Sequence, residues 1–168
     1  GGLCGYNYGD FTNCYNAGNV TFTGKLTFVG GVNGDNESTI ENCYNTGVVK
    51  VKVTGNLVMI GGVNGGNNSA ITNCHNAGAV EVTAAVKYNV GSVSGENRNN
   101  GTITNCYYLD IEETDEFDGT TFKTAEQFAS GEVAYLLNGT VTDGVWTEGD
   151  TDGTQSWYQN LSGTAADA

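Results

Sequence analysis

The 168-residue chain contains no proline, a single histidine, a single arginine and only six basic residues in all. Set against nineteen acidic residues, those six give a formal net charge of −13, which repels nucleic-acid phosphates and anionic membrane faces. No nucleic-acid partner is expected. No apolar run reaches the roughly 20 residues of a spanning helix and no basic-plus-apolar leader opens the chain, so no membrane insertion is expected either. The five cysteines form no C-x-x-C metal clip, and the metalloprotease pattern H-E-x-x-H does not occur. Twenty-six glycines are present without a G-X-Y period, which removes a collagen triple helix. The chain begins and ends abruptly, as a piece of something longer would.

What is present is a block written about three and a half times. Gly1-Gly2-Leu3-Cys4-Gly5 leads to Asn13-Cys14-Tyr15-Asn16-Ala17-Gly18, Gly30-Gly31-Val32-Asn33-Gly34 to Asn42-Cys43-Tyr44-Asn45-Thr46-Gly47, and Gly61-Gly62-Val63-Asn64-Gly65 to Asn73-Cys74-His75-Asn76-Ala77-Gly78. A worn fourth copy follows in Gly91-Ser92-Val93-Ser94-Gly95 and Asn105-Cys106-Tyr107-Tyr108. Successive motif cysteines lie 29, 31 and 32 residues apart, the period of a supersecondary unit that stacks on its neighbours.

After each N-C-Y-N-x-G the pattern alternates, as in Val49-Lys50-Val51-Lys52-Val53, which predicts a strand with one buried face. A second apolar strand closes each copy at Leu26-Thr27-Phe28-Val29, Leu57-Val58-Met59-Ile60 and Val86-Lys87-Tyr88-Asn89-Val90. A third enters the cysteine motif at Phe11, Ile40, Ile71 and Ile103, and the glycine pairs read as turns. Three short strands per copy with no helical period predict an all-β chain: a parallel β-solenoid (β-helix) of about 3.5 coils over residues 1–108, divided near 1–29, 30–60, 61–90 and 91–108.

Stacking places identical residues above one another. The Asn13/Asn42/Asn73/Asn105 column is expected to occupy left-handed corners and to link amides from rung to rung. Cys14, Cys43, Cys74 and Cys106 are expected to form a reduced, buried ladder; disulfides, one of them between Cys4 and Cys14 or a neighbouring rung, are the alternative. Lys50 and Glu81 fall at equivalent outward positions of adjacent coils and are expected to pair. Tyr15, Tyr44, His75 and Tyr107 make an aromatic column that is either an exposed stripe for sugar rings and partner side chains or a cover for the solenoid corner.

Beyond residue 108 the composition changes, and residues 109–168 read as an acidic connector and a C-terminal cap. Thr124, with Gln127 three residues on, marks a helix start, and one or two short helices are expected before Gly139. Their apolar residues Phe128, Val133, Ala134, Leu136 and Leu137 are expected to plug the open end of the array. Val145-Trp146 and Trp157-Tyr158 suggest a terminal hairpin or a pair of extended segments.

These residues carry a family resemblance. The G-G-x-x-G turns leading to N-C-Y-N-x-G resemble the GLUG-type repeats of secreted and wall-attached bacterial proteins, including adhesin-like proteins and the non-catalytic part of immunoglobulin A1 metalloproteases. The segment from Phe128 to Gly139, with Trp157-Tyr158-Gln159-Asn160, is similar to the element that closes such arrays, although the proline usual after the tryptophan is replaced here by Gly163-Thr164-Ala165. The resemblance implies an extracellular module, secreted or on the bacterial cell surface, and supplies no catalytic residue.

Three functions follow as expectations. The first is a non-catalytic adhesive module meeting a host glycan or extracellular protein; the second is a stalk that presents another domain, with neighbouring repeats as its partners. The third, a carbohydrate-active β-helix enzyme, is disfavoured because Asp10, Asp35, Glu37, Glu41 and Glu81 are scattered over different repeat positions and His75 has no nucleophile motif beside it. No cofactor is expected apart from calcium, for which Asp143, Glu148, Asp150 and Asp152 alternate with glycines as loop ligands do; an ordinary acidic turn is the competing reading.

Overall fold

The structure, a computed structural model, describes residues 1–25, 27–55, 58–84, 89–109 and 117–137. The first turn holds β1 (Cys4–Asn7), β2 (Phe11–Thr12), β3 (Tyr15–Asn16), β4 (Val20–Gly24) and β5 (Thr27–Gly30). The second holds β6 (Asn33–Asn36), β7 (Ile40–Glu41), β8 (Tyr44–Asn45), β9 (Val49–Val53) and β10 (Val58–Gly61). The third holds β11 (Asn64–Asn67), β12 (Ala70–Thr72), β13 (His75–Asn76), β14 (Val80–Ala84) and β15 (Asn89–Gly91). A partial fourth follows in β16 (Ser94–Asn97), β17 (Thr102–Thr104) and β18 (Cys106–Leu109), after which come β19 (Thr120–Lys123) and the helices α1 (Ala125–Ala129) and α2 (Glu132–Leu137).

Equivalent strands pair in parallel and in register, so five sheets run along a β-solenoid: β1-β6-β11-β16, β2-β7-β12-β17, β3-β8-β13-β18-β19, β4-β9-β14 and β5-β10-β15. Tyr15 pairs with Tyr44, Tyr44 with His75 and His75 with Tyr107, in the order that the repeat alignment requires. The expected parallel solenoid is therefore found, with three complete turns and three strands of another.

Each turn contains five strands, where the apolar pattern indicates three. The two additional strands are the Tyr-Asn step of the motif and the G-x-N-G segment, which reads as a turn because it is polar and glycine-rich. In β6 and β11 both faces of the strand are covered, so hydrophobic alternation is not required of them. All four residues of β6 and of β11 are buried.

Two apolar cores fill the coil. One is built from Val32, Val63, Val93, Ile40, Ile71, Ile103 and the cysteines Cys43, Cys74 and Cys106, with Tyr108 above them. The other is a valine-rich layer between the sheets of β9 and β10. In β9 the three valines are buried and Lys50 and Lys52 exposed, as the alternation predicts. Asn13, Asn42, Asn73 and Asn105 all have φ between 51° and 54°, the left-handed corner expected of them.

Thr124 caps α1 in the expected capping box: Gln127 N–H donates to Thr124 Oγ1, and Thr124 N–H donates to Gln127 Oε1. The helices, however, do not plug the end of the array. Val133 and Leu137 pack with Tyr107, and Phe128, Ala134 and Leu136 join them together with Tyr44, so the pair lies along the outer flank of the coil. The physical reason is that the end is already occupied there: β19 adds a parallel rung over β18, and Phe117 packs against the inner core. The hairpin expected at Trp146 and Trp157 lies outside the described residues.

Candidate functional site

Three of the four rings in the aromatic column, Tyr15, Tyr44 and His75, form a continuous stack. Tyr15 and Tyr44 have ring centroids 5.1 Å apart at 8°, and Tyr44 and His75 lie 4.9 Å apart at 4°. Parallel in-register pairing fixes this spacing, since rungs repeat about every 4.8 Å. The column is not uniformly open. Tyr15 is 57% exposed and Tyr44 half-buried, whereas Tyr107 is 8% exposed beneath α1 and α2. His75 meets the Phe128 ring at 5.6 Å. Its burial pushes the imidazole pKa from 6.5 down to about 4, so it is neutral near pH 7. Of the four rings considered as a ligand stripe, Tyr15 is thus exposed, Tyr44 and His75 are partly buried and Tyr107 is buried.

Helix α2 is held to the column by Lys123, whose ammonium pairs with Glu132 Oε1 at 2.7 Å and lies 5.9 Å from the Tyr107 ring centroid. Tyr107 Oη donates to Asn105 Oδ1 at 2.6 Å, and Asn105 Nδ2 donates to Asn73 Oδ1 at 2.8 Å and to the Leu136 carbonyl at 3.3 Å. The last corner asparagine therefore joins the stack to the helix.

The longest amide ladders lie elsewhere than the corner column. Asn7 Nδ2 donates to Asn36 Oδ1, Asn36 to Asn67 and Asn67 to Asn97, at 2.8 to 2.9 Å. Asn16 Nδ2 donates to Asn45 and Asn45 to Asn76, at 2.9 and 2.8 Å. Each of these last three also donates to the carbonyl of the motif glycine two residues on, Gly18, Gly47 or Gly78. The signal for this ladder was in the sequence, since the second Asn of N-C-Y-N-x-G recurs in each of the first three copies. A third, short ladder joins Asn33 to Asn64 at 2.9 Å.

The cysteines Cys14, Cys43, Cys74 and Cys106 form the expected inward column, and all five cysteines are free thiols. The thiols donate to backbone carbonyls of their own rungs, at 3.1 to 3.3 Å. Complete burial raises the Cys74 thiol well above its ordinary range, which suits an inert packing role.

Arg98 was not singled out by its sequence context, yet it bridges turns. Its guanidinium reaches back to Asp35, stacks on the Phe28 ring at 4.4 Å and lies 3.4 Å from Glu96 Oε2. Asp35, Gly66 and Glu96 share one register, and Gly66 leaves the gap through which the arginine passes: a Cβ there would lie 2.6 Å from Phe28 Cδ1. Between β9 and β14 Lys50 and Glu81 form the expected pair at 2.6 Å.

Among the described residues no cluster of three or more His, Cys, Asp or Glu side chains is placed to hold a metal ion. The calcium loop expected at Asp143, Glu148, Asp150 and Asp152 lies outside the described residues, and no helix among those described is long and apolar enough to cross a membrane.

No curated protein and no solved structure matches the chain. The family model of the GLUG motif matches residues 1–21, which span the first glycine pair and the first N-C-Y-N-x-G. That match, together with the in-register copies of the same block in the following turns, is consistent with a GLUG-type repeat region, here folded as a parallel β-solenoid.

Proposed function

We propose that the chain is a non-catalytic structural module of an extracellular protein, secreted or displayed on a bacterial surface, that holds other parts of that protein at a fixed separation during attachment to host or matrix. The GLUG motif suggests a repeat module of a larger protein. The observation that carries the spacer role is the use made of the aromatic column: three of its four rings pack with one another and with the helices instead of standing free. Amide ladders and two unbroken cores tie each rung to the next, which favours rigidity.

A recognition reading is supported by one feature, the open ring face of Tyr15 stacked on Tyr44, which suits a sugar ring or a partner side chain. One pair of measurements separates the two. Excision of residues 31–61 joins Gly30 to Gly62, the equivalent of Gly31; the spacer role predicts a folded protein whose labelled ends lie about 4.8 Å closer. Binding to an array of host glycans and matrix proteins that is abolished by Tyr15→Ala would overturn the spacer role in favour of recognition.

A further inference from the structure

We propose that the outer wall of the solenoid beside β1, β6 and β11 carries a saccharide-binding site, in which Tyr8 stacks on an uncharged sugar ring and Glu37, Asn68 and Asn99 take its hydroxyls. The site is separate from the Tyr15–Tyr44 column and adds a binding role to the spacer. Tyr8, Glu37, Asn68 and Arg98 occupy one column, since each follows an asparagine of the longest ladder, Asn7, Asn36, Asn67 or Asn97. This column opens sideways. Glu37 is exposed although a rung lies on either side of it, and Asn68 is partly exposed in the next turn. The access that Tyr8 has, at 79% exposed, is thus that of the wall and does not depend on what precedes the first turn.

The wall is ordered in advance. Tyr6 and Tyr8 stack with ring centroids 4.6 Å apart at 28°. Tyr6 Oη donates to Glu37 Oε1 at 3.2 Å, Asn68 Nδ2 donates to the same oxygen, and Asn99 Nδ2 donates to Asn68 Oδ1 at 2.9 Å. Asn99 reaches this row from a left-handed backbone, φ 52°, and among the described residues it is the one non-glycine outside the corner column to adopt it. Exposed side chains fixed to one another, with about 4.8 Å per rung, lose little further freedom when a ligand binds. Both bonds to Glu37 fall on Oε1, so Oε2 is left to accept from a ligand.

A ring face next to a carboxylate and two amides is the chemistry that holds a pyranose. The C–H face of the sugar covers the negative face of the aromatic ring, while its hydroxyls donate to and accept from the planar polar groups. The charge selects among sugars. Glu37 stands one rung on from Tyr8 and Asp10 two residues on, where its Oδ1 accepts from Ser38 Oγ at 3.2 Å, and the chain carries −13 overall. Uronates and sulfated or sialylated chains are therefore repelled, and a neutral hexose or N-acetylhexosamine chain is the ligand that fits. A Cβ on Gly9 would meet nothing within 4 Å, so the backbone beside Tyr8 stands clear of the approach.

The test is isothermal titration of the protein with cellohexaose, chitohexaose and mannohexaose up to millimolar concentration, beside polygalacturonate and heparin. At least one neutral chain should bind and the acidic ones should not. Tyr8→Ala should weaken that binding by about tenfold, Tyr8→Phe should keep it, and Glu37→Ala should weaken it by at least about tenfold. Because Tyr8 is exposed, its variants should melt as the native protein does. Failure of all three neutral chains to bind sinks the proposal. So does binding of the acidic chains as tight as that of the neutral ones. Loss of binding in Tyr15→Ala with Tyr8→Ala unaffected would move the site to the aromatic column and likewise overturn it. The excision experiment reads length alone, so the spacer role and this site fail independently.

Discussion

Gly62 and Asn76 sit against one another across the coil: a Cβ on Gly62 would lie 2.1 Å from Asn76 Nδ2. The same relation joins Gly31 to the Asn45 side chain at 2.3 Å and Gly2 to Asn16 at 2.9 Å. The glycine pair and the second motif asparagine therefore recur together for a steric reason, since the ladder amide occupies the space a side chain would need.

Gly62→Ala should consequently destabilise the protein by about 3 kcal/mol, at the upper end of overpacking costs, because the Ser92 carbonyl also stands 2.2 Å from the added carbon. Urea unfolding measures it. A loss below about 1 kcal/mol would mean that the rung spacing yields more easily than close packing allows.

Completing the short ladder should stabilise. Asn64 Nδ2 is buried without a partner because the next rung has Ser94, whose Oγ donates to the Glu96 carbonyl. Ser94→Asn extends the pattern of Asn33 and Asn64 by one rung and should add about 1 kcal/mol, the usual net value of a hydrogen bond. A lower melting temperature would show that the fourth turn is too tight for the amide.

The pH dependence of stability should carry the signature of His75. Its folded pKa of about 4 lies below the ordinary 6.5, so between these values the unfolded state binds more protons and stability falls as pH falls. The difference of 2.5 units corresponds to about 3 kcal/mol, with no further loss from this residue below pH 4. His75→Tyr restores the ring type of Tyr44 and Tyr107 and removes this contribution. As pH falls from 7 to 4, the unfolding free energy of the native protein should drop more steeply than that of the variant; parallel curves would refute the assignment.

The two ion pairs should differ in weight. Arg98→Met strands Asp35, a carboxylate 5% exposed whose pKa burial already raises, and should cost about 3 kcal/mol near neutrality. Lys50→Met removes a partner from an exposed pair and should cost under about 1 kcal/mol. Because Asp35 titrates upward on folding, the Arg98 variant should recover part of its loss as pH falls below the folded pKa and the carboxyl becomes neutral. Equal costs for the two substitutions would contradict the burial argument.

The repeat period, the parallel solenoid, the left-handed asparagine corners, the capping box at Thr124 and the Lys50–Glu81 pair were all legible in the residues. Each depends on a local pattern or on alignment of identical blocks. The strands β6, β11 and β16 were not, because hydrophobic alternation marks a strand that faces water on one side, and these do not. Arg98 was illegible for another reason: its partner Asp35 is two turns away, and the copy between them has Gly66 at the equivalent position.

By itself the sequence determined the stacking, since copies of one block that cannot bury their own apolar faces cover them by lying in register on each other. Only the tertiary structure decided which column carries the longer amide ladder and where the helices lie. The coil brings Asn16, Asn45 and Asn76 within hydrogen-bond reach while turning Tyr107 outward, and α2 then finds its apolar partner on the flank, with Val133 and Leu137 closing over that ring. Such choices depend on which side chains converge after the chain has wound, a distance in space that spacing along the chain does not encode.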